Sequence, residues 1–251
     1  MIRILITRVS GMGSIGWIKA IKAIKNQSIV LFGCDFIPYG YSSGSILVDR
    51  FIIENKHKLN HNSMILNAGS GGSEYKIPGI FFHVDLVEKS ILKYPHHFVS
   101  SIEKMPFKES TFDFAICVGS VINYCNALTA LDEIYRVCKA NSYFILEYER
   151  SSTGELLWNK ERRKSVTLQI YNYNGQSNHK LWLYSDNYIN NILCEVGFKI
   201  LNERYFHSLS SIYNKFVKDE NKSGKIGPFD RYLSFKLKRC FAHNRILICQ
   251  K

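Results

Sequence analysis

The sequence predicts an α/β protein built on a mostly parallel sheet flanked by helices, and three observations support this class. Short apolar runs typical of buried strands recur along the chain, at 63–67, 80–85, 112–118 and 143–147. Apolar residues at helical spacing lie between the last two runs, at Leu131, Ile134, Tyr135 and Cys138. Strands that alternate with helices imply a parallel sheet covered by helices. The length of 251 residues allows one large domain, or one domain plus a small attachment.

Composition excludes several classes of protein. The hydrophobic fraction is 46% and the charged fraction 22%, which are ordinary values for a globular chain and not those of a disordered or fibrous one. No apolar run approaches the ~18–20 residues that a membrane-spanning helix needs, and the first residues do not resemble a signal peptide. The seven cysteines include no C-x-x-C pair, so we expect reduced thiols in a cytoplasmic protein, with neither a disulfide framework nor a metal site.

The net charge of +12 is unevenly distributed. Residues 155–251 hold 17 basic and 8 acidic side chains. Such an excess could face an acidic substrate, nucleic acid or an anionic membrane. Because the basic residues form no dense block, we interpret Lys215, Lys218, Lys222 and Lys225 as a solvated face, with a membrane-surface or polyanion contact as the alternative.

The first element predicted is a small βαβ unit. An apolar run at 2–7 is followed by Gly11, Gly13 and Gly16, a helical stripe and a second apolar run that ends before Asp35. This order matches the dinucleotide pattern, in which glycines allow a tight turn and the acid binds a ribose. An NAD-dependent enzyme is therefore one alternative for the function.

The sequence around these glycines resembles another family. Gly33, Asp35, Pro38 and Tyr39, then a predicted strand with Val48, Asp49 and Phe51, are similar to the N-terminal subdomain of ATP-grasp enzymes of the carbamoyl-phosphate-synthase-like group. The resemblance covers residues 2–54 and does not extend to that family's ATP-binding domains, so we interpret the segment as a detached remnant or as a docking unit for a protein partner. The polar stretch 54–62 is a predicted linker between a unit at 1–54 and a domain at 60–251.

The second unit places polar and glycine residues where its strands end. Gly69, Gly71 and Gly72 follow the first strand, and Asp85 ends the second. The segment 101–103 lies near the end of a third strand, which precedes the run at 112–118, and Gly119 follows that run as the fourth strand. In parallel sheets, ligands bind at the carboxyl ends of the strands. A carboxylate there can accept both hydroxyls of a ribose.

These segments, in this order, resemble a class I S-adenosylmethionine-dependent methyltransferase with a Rossmann-like sheet. The resemblance spans residues 60–150 and implies S-adenosylmethionine as the cofactor. The segment 73–79 is short, so the usual first helix is shortened or lost. The implied cofactor-binding residues are Asn67, Ala68, Gly69, Ser70, Gly71, Asp85, Leu86, Ser101, Ile102, Glu103, Val118 and Gly119.

Two positions depart from the family pattern. Asn67 stands where the family usually has an acid, and Ser101 where it often has an aspartate. Each change removes a charge-assisted hydrogen bond, worth roughly 1.5–3 kcal/mol. A non-catalytic protein that binds the cofactor or a partner is therefore a second alternative.

The C-terminal hundred residues predict a hairpin inserted at 155–184 after the fifth core strand. Alternating runs at 165–173 and 180–184 flank Asn174-Gly175. A helix then begins at Asp186 and ends at Gly197, and a late strand runs over 242–249. His207, between these elements, is a possible acceptor-site base, although a lone histidine is more often packed or exposed.

For the chemistry, the resemblance implies in-line methyl transfer to a small-molecule or sugar-type acceptor. A hydroxyl or amine acceptor must also lose its proton. Glu147 is our first candidate for the base, with Tyr124 as a positioning residue, and alternation leaves Glu149 on the same side as Glu147. Nucleic acid is an unlikely acceptor, because Val118-Gly119-Ser120-Val121 stands where a base-methylation motif would be expected.

Overall fold

The computed structural model describes residues 41–56, 59–173 and 176–251. Residues 1–40 of the predicted unit at 1–54 lie outside these residues, with Gly11, Gly13, Gly16 and Asp35. The ATP-grasp resemblance and the nicotinamide alternative therefore stay predictions. In the described part of the chain, no helix is both long and apolar enough to cross a membrane.

The core of the molecule is a seven-stranded sheet with the order β3–β2–β1–β4–β5–β9–β8. Neighbouring strands from β3 to β5 are parallel, while β9 is antiparallel to both β5 and β8. The predicted mostly parallel, Rossmann-like sheet is confirmed. Its strands are β1 (Met64–Ala68), β2 (Ile80–Asp85), β3 (His97–Val99), β4 (Phe112–Cys117), β5 (Cys138–Glu149), β8 (Lys199–Phe206) and β9 (Asn244–Gln250).

Helices cover the sheet and fill the C-terminal region. The α-helices described are α1 (Tyr41–Glu54), α2 (Glu88–Ile91), α3 (Ala127–Val137), α4 (Asp186–Val196), α5 (Ser208–Val217), α6 (Glu220–Gly224) and α7 (Phe235–Phe241). Three 3₁₀ turns lie at Val121–Tyr124, Gly154–Leu156 and Gly227–Tyr232. The predicted α4 is confirmed: the Ser185 side chain caps its first turn and Gly197, at φ 111°, ends it.

The first described element corrects a prediction. We expected a strand at Val48–Phe51, and the structure has α1 there. Val48, Phe51 and Ile52 are spaced three and four residues apart, so a helix brings them onto one face, where all three are buried against the sheet. Residues 41–54 thus pack on the same sheet as the predicted second unit. The division of the chain at the linker 54–62 stays a prediction.

The predicted hairpin is confirmed as a separate two-stranded sheet of β6 (Val166–Tyr173) and β7 (Gln176–Tyr184). Asn174 and Gly175 lie outside the described residues. Leu181 and Leu183 are buried together with Leu156, and Tyr124 packs against this cluster. The hairpin therefore lies next to the 3₁₀ turn that follows β4, at the carboxyl end of the parallel strands.

Candidate functional site

A glycine loop follows β1 at the carboxyl end of the sheet. Gly69, Gly71 and Gly72 all have positive φ, at 69°, 53° and 85°. The N–H groups of Gly69 and Ser70 donate to the carbonyl oxygen of Val84, at 2.8 and 3.0 Å. The loop therefore continues the hydrogen bonding between β1 and β2 as it turns. As predicted, no helix forms over 73–79.

Asp85, the last residue of β2, ties this loop to the second strand. One carboxylate oxygen accepts from the Gly71 N–H at 2.7 Å, and the other accepts from the Val87 N–H at 2.8 Å. The residue is only 2% exposed. Burial raises the pKa of its carboxyl, against the opposing effect of these N–H donors. Each oxygen keeps a second lone pair, so the group can still accept from a ligand.

A cluster of side chains beneath the loop fixes its shape. The Asn67 amide donates to the Ser70 hydroxyl at 3.2 Å and to the Ser73 carbonyl at 3.0 Å. The Ser70 hydroxyl lies 2.7 Å from Nδ1 of His83, and the His83 ring stacks on Tyr94 at 3.7 Å between centroids. Burial lowers the pKa of His83 to about 4, so its ring is neutral near pH 7.

Sequence reasoning missed His83 and Tyr94 as parts of this site. His83 stands two residues before Asp85 in β2, so alternation places both side chains on one face of the strand. That spacing could have identified His83. Tyr94, whose hydroxyl donates to the Gly72 carbonyl at 2.6 Å, carries no comparable signal in the sequence.

The segment 101–103, which follows β3, is held in place by burial and by hydrogen bonds. Ile102 is buried, and the Ser101 hydroxyl accepts from the Glu103 N–H at 3.1 Å. A Glu103 carboxylate oxygen accepts from the Asn126 N–H at 2.5 Å. Glu103 thus holds the residue that caps α3.

Glu147 organises the turn that follows β4. One carboxylate oxygen accepts from the N–H groups of Gly119 and Ser120, both at 2.8 Å, and the other accepts from the Asn244 amide at 2.5 Å. The Glu147 side chain is fully buried. Burial raises its pKa to about 7, despite these donors, and the nearby charge of Glu149 adds to the shift.

Tyr124 ends the 3₁₀ turn that follows β4, and Glu149 ends the adjacent strand β5. Burial, then the charge of Glu149, raises the pKa of the Tyr124 phenol well above its usual value. Asn123 joins the elements here: its amide donates to the carbonyls of Glu149 at 3.0 Å and Trp182 at 2.5 Å. Its side-chain oxygen accepts from the Glu149 N–H at 2.9 Å.

Two buried histidines extend this polar region towards β9. Nε2 of His243 lies 3.1 Å from a Glu149 carboxylate oxygen. Burial opposes the charge of His243, but the carboxylates of Glu149 and Glu155 outweigh it and raise its pKa. Nδ1 of His207 lies 3.0 Å from the Asn244 side-chain oxygen, and burial lowers its pKa to about 4. His207 is thus a packed residue at the start of α5, and His243 was missed by sequence reasoning.

The predicted residues thus line the carboxyl ends of adjacent strands. Ala68, Gly69 and Gly71 follow or end β1, and Val118 and Gly119 follow β4. Ala68 and Val118 are buried, whereas the Leu86 side chain beside Asp85 is 49% exposed. The arrangement offers a glycine turn, a carboxylate and an exposed apolar side chain, which are elements for holding a nucleoside-like ligand.

Part of this chain is similar to a known protein family. A family model described as a methyltransferase domain matches residues 75–146, which run from just after the glycine loop to the middle of β5. No curated protein matches the sequence.

Solved structures share the fold at low sequence identity. A SAM-dependent methyltransferase from Methanosarcina mazei is 16% identical, with a TM-score of 0.55 over 80% of this chain and 96% of that one. The 1,6-didemethyltoxoflavin-N1-methyltransferase of Burkholderia thailandensis, with bound 1,6-didemethyltoxoflavin and S-adenosylhomocysteine, is 11% identical, with a TM-score of 0.51 over 84% of this chain and 79% of that one. The cyclase SpnF is 14% identical, with a TM-score of 0.54 over 84% and 82%.

The fold is therefore that of class I methyltransferases. The matched domain and the methyltransferase structures support a SAM-dependent methyltransferase, with S-adenosylmethionine as the cofactor.

Proposed function

We propose that this chain transfers a methyl group from S-adenosylmethionine to a small-molecule or sugar-type acceptor. One observation carries the proposal: a glycine loop at the end of β1 is hydrogen-bonded to a buried carboxylate at the end of β2. In open α/β sheets this position, next to the point where the strand order reverses, is where nucleotide-like ligands bind. The strand order and the match to the methyltransferase model support this assignment.

The residues present fit the three parts of the cofactor, which are methionine, ribose and adenine. We assign the methionine part to the loop of Asn67, Ala68, Gly69, Ser70 and Gly71, because this loop turns at the carboxyl end of β1. The free lone pairs of the Asp85 oxygens can accept the two ribose hydroxyls. Leu86, Ser101, Ile102 and Glu103 would flank the adenine, and Val118 and Gly119 would line the cleft between β1 and β4.

When bound, the cofactor supplies a methyl group on a sulfonium, which already contains a good leaving group. The protein's part is to hold the acceptor in line and to exclude water. The hairpin of β6 and β7 and the 3₁₀ turn Val121–Tyr124 pack together beside the carboxyl end of β4. We propose that they form a wall of the acceptor site.

An acceptor with a hydroxyl or amine must also lose a proton. We keep Glu147 as the candidate for accepting it, since a pKa of about 7 suits a base at neutral pH. Its three hydrogen-bond donors fix its position within the turn at Gly119. Tyr124, next to Glu149, is our candidate for positioning the acceptor.

Cofactor binding tests the proposal first. Calorimetric titration with S-adenosylmethionine and S-adenosylhomocysteine should show micromolar binding. Asp85→Asn should weaken it at least about tenfold, because the amide cannot accept from both hydroxyls while it also receives two backbone N–H groups. Asp132→Asn, an exposed aspartate on α3, is the matched control and should bind like the wild type. A folded protein that binds neither ligand would contradict the proposal.

A non-catalytic cofactor-binding protein is the second candidate, and Asn67 favours it. Its amide is used within the loop, in hydrogen bonds to Ser70 and Ser73, where the resembled family usually has an acid. Cofactor binding without turnover on a broad acceptor panel would support this candidate.

A further inference from the structure

A cluster of large apolar side chains is exposed in the C-terminal region. It lies within residues 158–164 and 213–241, which we call the basic aromatic surface. The exposed fractions are 78% for Trp158, 62% for Phe216, 53% for Phe229, 70% for Tyr232, 54% for Phe235 and 47% for Leu237. Single exposed apolar residues are common, but a concentration of five aromatic rings is typical of an interaction surface.

These side chains are carried by elements that pack on one another. The Trp158 and Phe216 rings meet edge to face, with centroids 6.0 Å apart. α5, which carries Phe216, contacts α7 and the 3₁₀ turns at Gly154–Leu156 and Gly227–Tyr232. The Phe229 and Tyr232 rings lie 6.4 Å apart in the second of these turns. The aromatic residues therefore belong to one contiguous part of the molecule.

The same segments concentrate the positive charge of the chain. They contain twelve basic and four acidic side chains, so they account for +8 of the net +12. Nine of the twelve basic side chains are exposed. On α7, Lys236 and Arg239 alternate with the exposed Phe235 and Leu237, so charge and apolar surface are interleaved.

We propose that the basic aromatic surface binds the anionic face of a lipid bilayer. Tryptophan and tyrosine rings favour the boundary between headgroups and acyl chains, and phenylalanine and leucine can insert beneath it. Each lysine or arginine close to an anionic membrane raises the binding constant about fivefold. The interleaving of both kinds of side chain on short helices fits a peripheral contact that lies on the membrane.

Two other binding partners would fit this surface less well: residues 1–40 of the same chain, and a nucleic acid. Residues 1–40 contain five basic side chains and one acidic one, so their charge has the same sign as the surface. A nucleic acid has the right charge, and aromatic rings can stack on its bases. However, Leu237 offers no ring to stack, and the phenylalanines have no polar atom for contacts to base edges.

Vesicle flotation of the full chain tests the proposal. The probes are vesicles of equal parts phosphatidylcholine and phosphatidylglycerol, with pure phosphatidylcholine vesicles as the neutral reference. We expect the protein to float with the anionic vesicles, to be released by high salt, and to show a blue shift of tryptophan fluorescence. The shift should disappear in Trp158→Phe, since Trp158 is the tryptophan on this surface. This binding requires no cofactor, so failure here and failure of S-adenosylmethionine binding are distinguishable.

Paired variants separate the apolar and the electrostatic contributions. Trp158→Ser/Phe216→Ser and Lys236→Glu/Arg239→Glu should each weaken vesicle binding at least about tenfold. The matched control is Leu128→Ser/Lys108→Glu, which changes exposed residues elsewhere and should bind like the wild type. Thermal unfolding checks that every variant is folded.

Three results would overturn the proposal. The first is no flotation with anionic vesicles, and the second is an equal loss in the control. The third is binding to polyuridylate, weakened by the same variants, in a protein that does not bind vesicles. That last result would identify the surface as an RNA-binding one.

Discussion

At the scale of single residues, the buried carboxyl of Glu147 makes stability depend on pH. Its pKa is about 7 in the folded chain against a usual value of 4.5. Between these values the unfolded chain binds fewer protons than the folded one, so folding stability falls as the pH rises. The shift corresponds to a loss on the order of 2–3 kcal/mol across that window.

Glu147→Gln should remove this dependence. We expect the variant to gain stability relative to the wild type as the pH rises from 5 to 8, because the amide cannot ionise. Urea unfolding at several pH values measures the difference. Glu109→Gln, at an exposed site, should track the wild type throughout. If the stability of the wild type and of Glu147→Gln changed in parallel with pH, the pKa of Glu147 would be the same in the folded and the unfolded chain.

A second prediction concerns Gly72 in the glycine loop. Its φ is 85°, and a Cβ there would lie 2.6 Å from the backbone carbonyl oxygen of Ser90. Gly72→Ala should therefore destabilise the fold by about 1–3 kcal/mol, through backbone strain and the clash. Gly227→Ala, where φ is not positive, should cost less. Thermal unfolding of both variants makes the comparison, and equal stability would mean that the loop shifts to accept a side chain.

The sequence alone predicted the positions of the glycines and Asp85, because their signal is the order of residues at strand ends. It named Glu147 as a candidate base but could not reveal the hydrogen bonds of its carboxylate. Its hydrogen-bond partners are Gly119, 28 residues earlier, and Asn244, 97 residues later. The register of β5 with β9 pairs Asn244 with Glu149, two residues from Glu147, and so brings the Asn244 amide within reach of the Glu147 carboxylate. Contacts of this kind depend on tertiary packing, which has no local pattern.

At the scale of elements, resemblance misled where periodicity would have been the better guide. The spacing of Val48, Phe51 and Ile52 is helical, and the structure has α1 at that place. The apolar stripe ending at Cys138 was assigned to a helix, but α3 ends at Val137 and Cys138 begins β5. A fully buried residue at a helix–strand junction fits either pattern.

A buried ion pair joins β5 to α4 and supplies a prediction about these elements. Arg150, just after β5, donates to both oxygens of Asp186 at 2.8 and 2.7 Å, and the arginine is 1% exposed. Burial would raise the pKa of Asp186, but Arg150 outweighs it and lowers the pKa. Asp186→Ala should cost about 3–5 kcal/mol, because it leaves a buried guanidinium without its partner.

The control for that variant is a surface pair. Arg204 and Glu54 form an ion pair between side chains that are 45% and 43% exposed. Glu54→Ala should therefore cost at most about 1 kcal/mol. The double variant Arg150→Met/Asp186→Leu should recover much of the loss. Urea unfolding distinguishes these cases, and equal costs for Asp186→Ala and Glu54→Ala would mean that water reaches Arg150.

At the scale of the whole molecule, the class of the sheet is what the sequence predicted best. The alternation of strands and helices indicates a parallel sheet, and the late hairpin and final strand were found where expected. The insertion of β9 between β5 and β8 joins elements that lie far apart in the chain. That same sheet carries the glycine loop on β1 and Asp85 on β2, so the proposed cofactor site depends on the fold as a whole.

Ligand binding should therefore stabilise the entire domain. A ligand at a hundred times its dissociation constant adds about 2.7 kcal/mol to the folded state. For a chain of this size, each kcal/mol raises Tm by about 2–4 °C, so saturating S-adenosylhomocysteine should raise Tm by about 5–11 °C. Differential scanning fluorimetry measures the shift, with adenosine and methionine added separately to show which half of the ligand contributes. Asp85→Asn should lose most of the shift with S-adenosylhomocysteine and with adenosine, while Asp132→Asn should keep it. A full shift in Asp85→Asn would place the ribose elsewhere than at the end of β2, and would leave the carboxylate the structural task of holding the Gly71 N–H.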